Sequence, residues 1–306
     1  MRNSATPIRR VAADDSRLRR DIGIIGLLFT AVGSIIGSGW LFGALSAAQI
    51  AGPASILAWG IGGVMIALIG LCYAELGTMF PVSGGVVRFP HYAFGSFASY
   101  TLGWITWIAV ASTTSIEVLA ALQYSTNYVP WLQRLDNGVP VLTGAGFAVA
   151  VGLLALFSLI NAIGIRWFAR LNNALVWWKL AIIVLVIVVF LATAFHGMNF
   201  NHAVAGGFMP FGWTGVFSSI ATAGIVFSYL GFRQGVELAG ETHNPQRNVP
   251  IAIIGSVLIT GVIYVGLQVA FIGALPEEAL RNGWAHIGTS FAGGLDHIAA
   301  TYGPLA

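Results

Sequence analysis

Seven long stretches of this chain are almost free of charge, and that pattern restricts the fold more than any other feature of its 306 residues. They cover roughly residues 22–48, 53–80, 97–127, 141–160, 174–195, 214–239 and 250–274. A helix that crosses the hydrocarbon core of a bilayer needs about 20 apolar residues, and each stretch is of that order. Strands of a membrane barrel would instead show short alternating segments. Charged residues make up 8% of the chain and hydrophobic ones 57%, whereas a soluble domain carries about 25% charged residues. A water-facing surface cannot be built from so few charges, so much of the surface faces lipid. The predicted class is an all-α integral membrane protein. The first stretch follows a long Arg-rich tail and lacks a clear cleavage pattern, so it reads as a span and not as a signal peptide. One cysteine, Cys72, excludes a disulfide framework and a cysteine-based metal centre. His196 and His202 have no metal-ligand spacing, and a net charge of +3 makes no case for nucleic acid. No metal and no cofactor are expected.

Basic residues orient the spans. The tail, residues 1–20, carries Arg2, Arg9, Arg10, Arg17, Arg19 and Arg20; Arg88 follows the second span, Arg166 and Arg170 the fourth, and Arg247 the sixth. The opposite loops hold Arg134 and Arg281. By the positive-inside rule this predicts a multi-pass protein of the cell (inner) membrane with its N-terminus in the cytoplasm. After the seventh span comes a loop with Glu277, Glu278 and Arg281, then a mildly apolar tract from Gly288. That tract reads as the start of an eighth helix, and the chain is expected to be truncated there.

Several residues sit badly in lipid. The first span contains Gly33-Ser34-Ile35-Ile36-Gly37-Ser38-Gly39-Trp40. Each glycine weakens a helix by about 1 kcal/mol relative to alanine. One reading is a discontinuous helix, whose freed peptide groups at Gly37, Ser38 and Gly39 bind a ligand with the help of half-helix dipoles. The other is close helix packing through the Gly33/Gly37 pair. The sixth span contains Phe227-Ser228-Tyr229-Leu230-Gly231-Phe232-Arg233-Gln234-Gly235, two glycines and a charge in an apolar run. Paired interruptions in separated spans point to a transporter site near the midplane. Arg233 either pairs with Glu237 four residues on or offers its fork to a substrate carboxylate. Glu117 shares a helix face with Thr106, Thr113 and Tyr124, and lines a wet cavity or makes a structural hydrogen bond. Lys179, near the start of the fifth span, either snorkels to the interface or is a buried amine suited to proton coupling.

Four segments together resemble a known family: GSIIGSGW at 33–40, YAELGTMFPVSGG at 73–85, NAIGIRWFARLNN at 161–173 and FSYLGFRQGVELAGETHNPQRNVPIAI at 227–253. The stretch from Glu241 to Pro250 is the most specific. The chain resembles an amino acid permease of the amino acid–polyamine–organocation family, and its overall look is similar to bacterial aspartate–proton symporters. The resemblance implies a LeuT-like inverted-repeat transporter fold, truncated here after about seven to eight transmembrane helices. Residues 21–196 would then form the first five-helix repeat, and 214–306 the incomplete start of the second. It implies alternating access around spans one and six, with the substrate carboxylate on Gly37, Ser38 and Gly39 and the amine on the carbonyls of Ile35, Phe227 and Leu230. Phe227 would also be an aromatic gate. Lys179 matches a lysine that stands in for a sodium ion in some proton-coupled relatives. Where this chain has Arg233, some relatives carry an acidic residue, and the cation disfavours cationic substrates.

The expected function is secondary active transport of an acidic or neutral amino acid, with a proton as coupling ion and the lipid bilayer as the other partner. A seven-helix receptor or sensor fits the count, but the common receptor type has its N-terminus outside, and the glycine-broken spans are then unexplained. A non-functional fragment of a permease is the further alternative. An enzyme is not expected: no motif for a nucleophile, metal or phosphate occurs.

Overall fold

The computed structural model describes residues 20–126, 128–136, 139–163, 165–201 and 206–287. The tail up to Arg19, His202 and the tract from Gly288 lie outside the described residues. Among the described residues the regular structure is helical apart from one hairpin. In chain order the helices are α1 (Ile24–Ile35), α2 (Gly39–Ala51), α3 (Ser55–Met79), α4 (Gly85–Phe94), α5 (Ser96–Ser125), α6 (Gly144–Ile163), α7 (Ile165–Thr193), α8 (Gly212–Thr222), α9 (Ile225–Tyr229), α10 (Arg233–Glu237) and α11 (Pro245–Ala274). Strands β1 (Gln133–Asp136) and β2 (Val139–Leu142) pair antiparallel between α5 and α6.

Among the described residues four helical segments are long and apolar enough to cross a membrane: Phe42–Met79, Ser96–Ser125, Ala174–Thr193 and Pro245–Ala274. A fifth is possible as the bent pair Gly212–Thr222 and Ile225–Glu237, and Ile24–Ile35 and Gly144–Ile160 are shorter apolar helices. The predicted stretches are thus helical, except that the fourth begins within β2, and the first and sixth are divided.

The chain falls into two compact units, one drawn from Met1–Tyr100 and Ile182–Ala306, the other from Thr101–Ala181. In the first unit α11 packs most extensively on α3 and α1. The reason lies in α3, whose buried face reads Ser55, Ala58, Trp59, Gly62, Ile66, Gly70, Ala74 and Gly77. Small residues three or four apart let a neighbouring backbone come close. A Cβ on Gly62 would fall 2.8 Å from Ile225, and one on Gly77 2.9 Å from Val249. The opposite face of α3 is apolar and outward: Val64 and Leu68 are 62% and 59% exposed, as a lipid-facing surface requires. The far end of α11 is closed from a distance. Asn199 Nδ2 donates to the carbonyls of Ile272 (2.8 Å) and Leu275 (2.9 Å), and the His196 N–H donates to Gly273 (2.8 Å). These bonds satisfy carbonyls that a helix end leaves without intrahelical partners.

The second unit has a small core of Val118 and Leu122 from α5, Leu132, and Ala150 from α6. Thr143 starts α6: its Oγ1 accepts the Gly146 N–H at 3.0 Å and donates to the Trp131 carbonyl at 2.8 Å. On α5, Thr106, Thr113, Glu117 and Tyr124 are half-buried on a helix that is otherwise mostly exposed, which sets them on its inward face.

Candidate functional site

In span one, α1 ends at Ile35 and α2 begins at Gly39. Between them Ile36 takes φ −82° and ψ 87°, and the Gly37 N–H folds back on the Ile35 carbonyl at 3.0 Å. This is close to an inverse γ-turn, which redirects the chain without a helical bond. Two half-helix ends of opposite polarity therefore meet at residues 36–38, the negative carbonyl end of α1 and the positive N–H end of α2.

Span six bends by 50° between α8 and α9. The hinge residue is Gly224, at φ +78°, a conformation that side chains other than glycine's rarely tolerate. This differs from the sequence expectation, which put the interruption at Gly231. There the chain only tightens into a 3₁₀ turn over Leu230–Phe232 before α10. Gly231 has a different duty. A Cβ on it would lie 2.3 Å from the carbonyl carbon and oxygen of Ser34 and from the Ile35 nitrogen. The turn of span six is pressed onto the end of α1, backbone against backbone. One step further on, a Cβ on Gly39 would lie 3.0 Å from Ser228 Oγ. Ile35, Gly39 and Leu230 are thus brought together at one crossing.

The remaining predicted residues of this unit are placed as follows. Gly37 and Ser38 are half-buried in the break, and Phe227 on α9 is exposed. Arg233 is half-buried; its Nε donates to the Leu230 carbonyl at 3.3 Å, and the charge of Glu237 is within electrostatic reach. The fork is therefore partly engaged by its own turn, which neither sequence reading of Arg233 anticipated. In the other unit, Lys179 and Glu117 are within electrostatic reach of each other.

Sequence reasoning missed a stripe on α11. Ser256, Thr260, Tyr264 and Gln268 recur every fourth residue and are buried. The signal was present: polar groups at helical spacing inside an apolar run face one neighbour. Tyr264 Oη donates to the Ile35 carbonyl at 2.9 Å and lies 3.4 Å from the Ser228 carbonyl oxygen, so it spans both divided helices. Gln268 Nε2 donates to the Ala44 carbonyl of α2 at 3.1 Å, and its Oε1 accepts Trp59 Nε1 from α3 at 2.8 Å. Tyr229 Oη donates to the Trp59 carbonyl at 3.1 Å, and the rings of Trp59 and Tyr264 are 4.7 Å apart. Four spans meet in this knot with their buried polar atoms bonded, which fixes the geometry of the crossing. A carbonyl oxygen has two lone pairs. Both pairs on Ile35 are used, by the Gly37 N–H and Tyr264 Oη, and Leu230 already accepts the backbone N–H and Nε of Arg233, so a ligand donor here takes the place of one of these.

A family model described as amino acid permease matches residues 22–299. The chain is 42% identical over 277 residues to the glutamate/serine transporter AimA of Bacillus subtilis (strain 168), covering 89% of this chain and 51% of that protein. It is 38% identical over 285 residues to the aspartate-proton symporter of the same organism, covering 93% and 54%. It is also 30% identical over 275 residues to the methylthioribose transporter of that organism, covering 87% and 58%. The chain spans about half the length of these curated relatives. Its apolar helices and these matches make it a multi-pass membrane protein.

Proposed function

We propose, from the premise that this chain belongs to the amino acid permease family, that it carries the substrate-holding crossing of a proton-coupled secondary transporter for an acidic or neutral amino acid. The observation that carries the reading is the meeting of the divided spans, with α1 ending and α2 beginning against the turn at Gly231. A zwitterion suits two opposed half-helix ends. Its carboxylate would lie on the N–H groups of Gly37, Ser38 and Gly39, the Gly37 N–H turning away from the Ile35 carbonyl to meet it, and its amine on the carbonyls of Ile35, Phe227 and Leu230, with Leu230 giving up one Arg233 donor and Phe227 closing over the ligand. Lys179 and Glu117 would take and pass the coupled proton. No covalent chemistry is needed: substrate and proton shift the balance between states open to either side.

In this reading residues 21–196 are the first repeat and the chain from 214 is the start of the second, inverted one, and the N-terminus is cytoplasmic in the cell membrane. Arg233 favours an anionic substrate over a cationic one, and the glutamate/serine and aspartate specificities in the names of two relatives support that choice. A receptor with seven continuous helices has no use for the divided spans. The test is uptake of labelled aspartate by the full-length protein in liposomes under an imposed proton gradient. Excess aspartate or glutamate should compete and arginine should not, and Arg233→Ala should raise the KM for aspartate. No gradient-dependent uptake of any amino acid would overturn the proposal, and an unchanged KM would remove Arg233 from it.

A further inference from the structure

The motif from Glu241 to Pro250 has so far no function, although it is the most distinctive stretch of the sequence. Its first residues form a tight turn ahead of α11, and residues 245–250 are the start of that helix. Asn244 holds φ +44°, the sole left-handed non-glycine among the described residues, and its carbonyl accepts the N–H groups of Arg247 and Asn248, both at 3.0 Å. Asn248 Nδ2 donates back to the His243 carbonyl at 2.5 Å, and Thr242 Oγ1 donates to the Leu238 carbonyl at 2.8 Å. The turn is also moored to the chain leaving α3. The Gly84 N–H donates to the Glu237 carbonyl at 2.8 Å, and Ser83 Oγ donates to a Glu241 carboxylate oxygen at 3.4 Å.

One edge of this turn is used by the chain that leads into α1. The Ile22 N–H donates to the Glu241 carbonyl at 3.0 Å, and the His243 N–H donates to the Ile22 carbonyl at 2.8 Å, a one-residue parallel bridge between Ile22 and Thr242. At its other end α1 is severed from α2 by the break at 36–38. A twelve-residue half-helix is thus hinged at one end and clipped at the other by two backbone bonds.

We infer that the Glu241–His243 edge is a latch for the start of α1, which is fastened while this half-helix lies on the bundle and must open for the half-helix to swing away in each transport cycle. The inference rests on the alternating-access reading above. The bridge is made of backbone groups alone, so it can open and close without any side chain changing partners. Each bond is worth about fivefold in the balance between latched and unlatched forms.

The test uses the full-length protein with Cys72→Ser, Ile22→Cys and Thr242→Cys. Residues opposed across a bridge stand close enough for a disulfide. The reduced protein should take up labelled aspartate, the oxidised protein should lose at least tenfold of that rate, and reduction should restore it. Uptake by fully cross-linked protein at the reduced rate overturns the latch and leaves the transport reading intact. Absence of uptake in the reduced form and in the native protein alike overturns the transport reading, and the latch with it. A second variant reads the opposite direction. Ile22→Pro deletes the N–H donor and should raise, about fivefold, the labelling by a membrane-impermeant reagent of an Ala31→Cys thiol, a position fully buried while α1 lies on the bundle. Unchanged labelling counts against the latch whatever the transport rate.

Discussion

Replacing Gly231 with alanine tests whether close approach, and not mere flexibility, is what this glycine supplies. The added Cβ would fall 2.3 Å from three backbone atoms of Ser34 and Ile35, where carbon contacts settle at about 3.5–4.0 Å. Backbone cannot rotate aside, so relief requires α1 and the 230–232 turn to part by about 1 Å. Alanine by itself favours a helix over glycine by about 1 kcal/mol. Over-packing costs about 1–3 kcal/mol, sometimes more, and three backbone obstacles put this site at the upper end. The net loss is about 2 kcal/mol, or about 30-fold in an equilibrium constant. Gly60→Ala is the control, since a Cβ there meets nothing within 4 Å and carries the helical gain alone. Equilibrium binding of labelled aspartate and thermal unfolding should be measured on both variants of the full-length protein. Gly231→Ala should bind at least tenfold more weakly and melt lower, while Gly60→Ala binds as the native protein does and melts at the same temperature or higher. Equal binding and equal melting of the two variants would refute the reasoning.

Tyr264→Phe keeps the ring packing on Trp59 and removes the donor to Ile35; binding should weaken by about 1 kcal/mol, about fivefold in Kd, with little change in melting. Gln268→Leu strands Trp59 Nε1 and removes a second donor from the Ala44 carbonyl and should cost about 1–3 kcal/mol of stability, less when combined with Trp59→Phe, so a double-mutant cycle should show coupling. Lys179→Gln should abolish accumulation driven by a proton gradient while exchange of internal for external aspartate persists; intact gradient-driven accumulation would remove Lys179 from coupling.

The legible and illegible parts of the fold differ for physical reasons. Seven apolar stretches sufficed for the long helices, because a bilayer demands length and composition above all, but not for α4, which lies between the second and third stretches. The division of span one was visible in Gly37 and Gly39, since clustered glycines weaken a helix wherever it packs. In span six the pattern pointed to Gly231 and Gly235 and passed over Gly224, and the local sequence could not say that Gly224 takes positive φ while Gly231 merely admits α1. That choice is made by tertiary contact. The hairpin of β1 and β2 went unpredicted although Asn137-Gly138 between short apolar runs is a turn signal. Tyr264 and Gln268 were overlooked because span seven was read for its charge and not for its polar periodicity. The partners of that stripe lie on α1, α2 and α3, which no local pattern reveals.

The most direct measurement is a structure of the full-length protein with aspartate bound. The account predicts the ligand's α-carboxylate on the N–H groups of Gly37–Gly39 and its amine on the carbonyls of Ile35 and Leu230, with the helix still divided at 36–38. Aspartate seated elsewhere, or span one continuous through Gly37 with ligand bound, would contradict it.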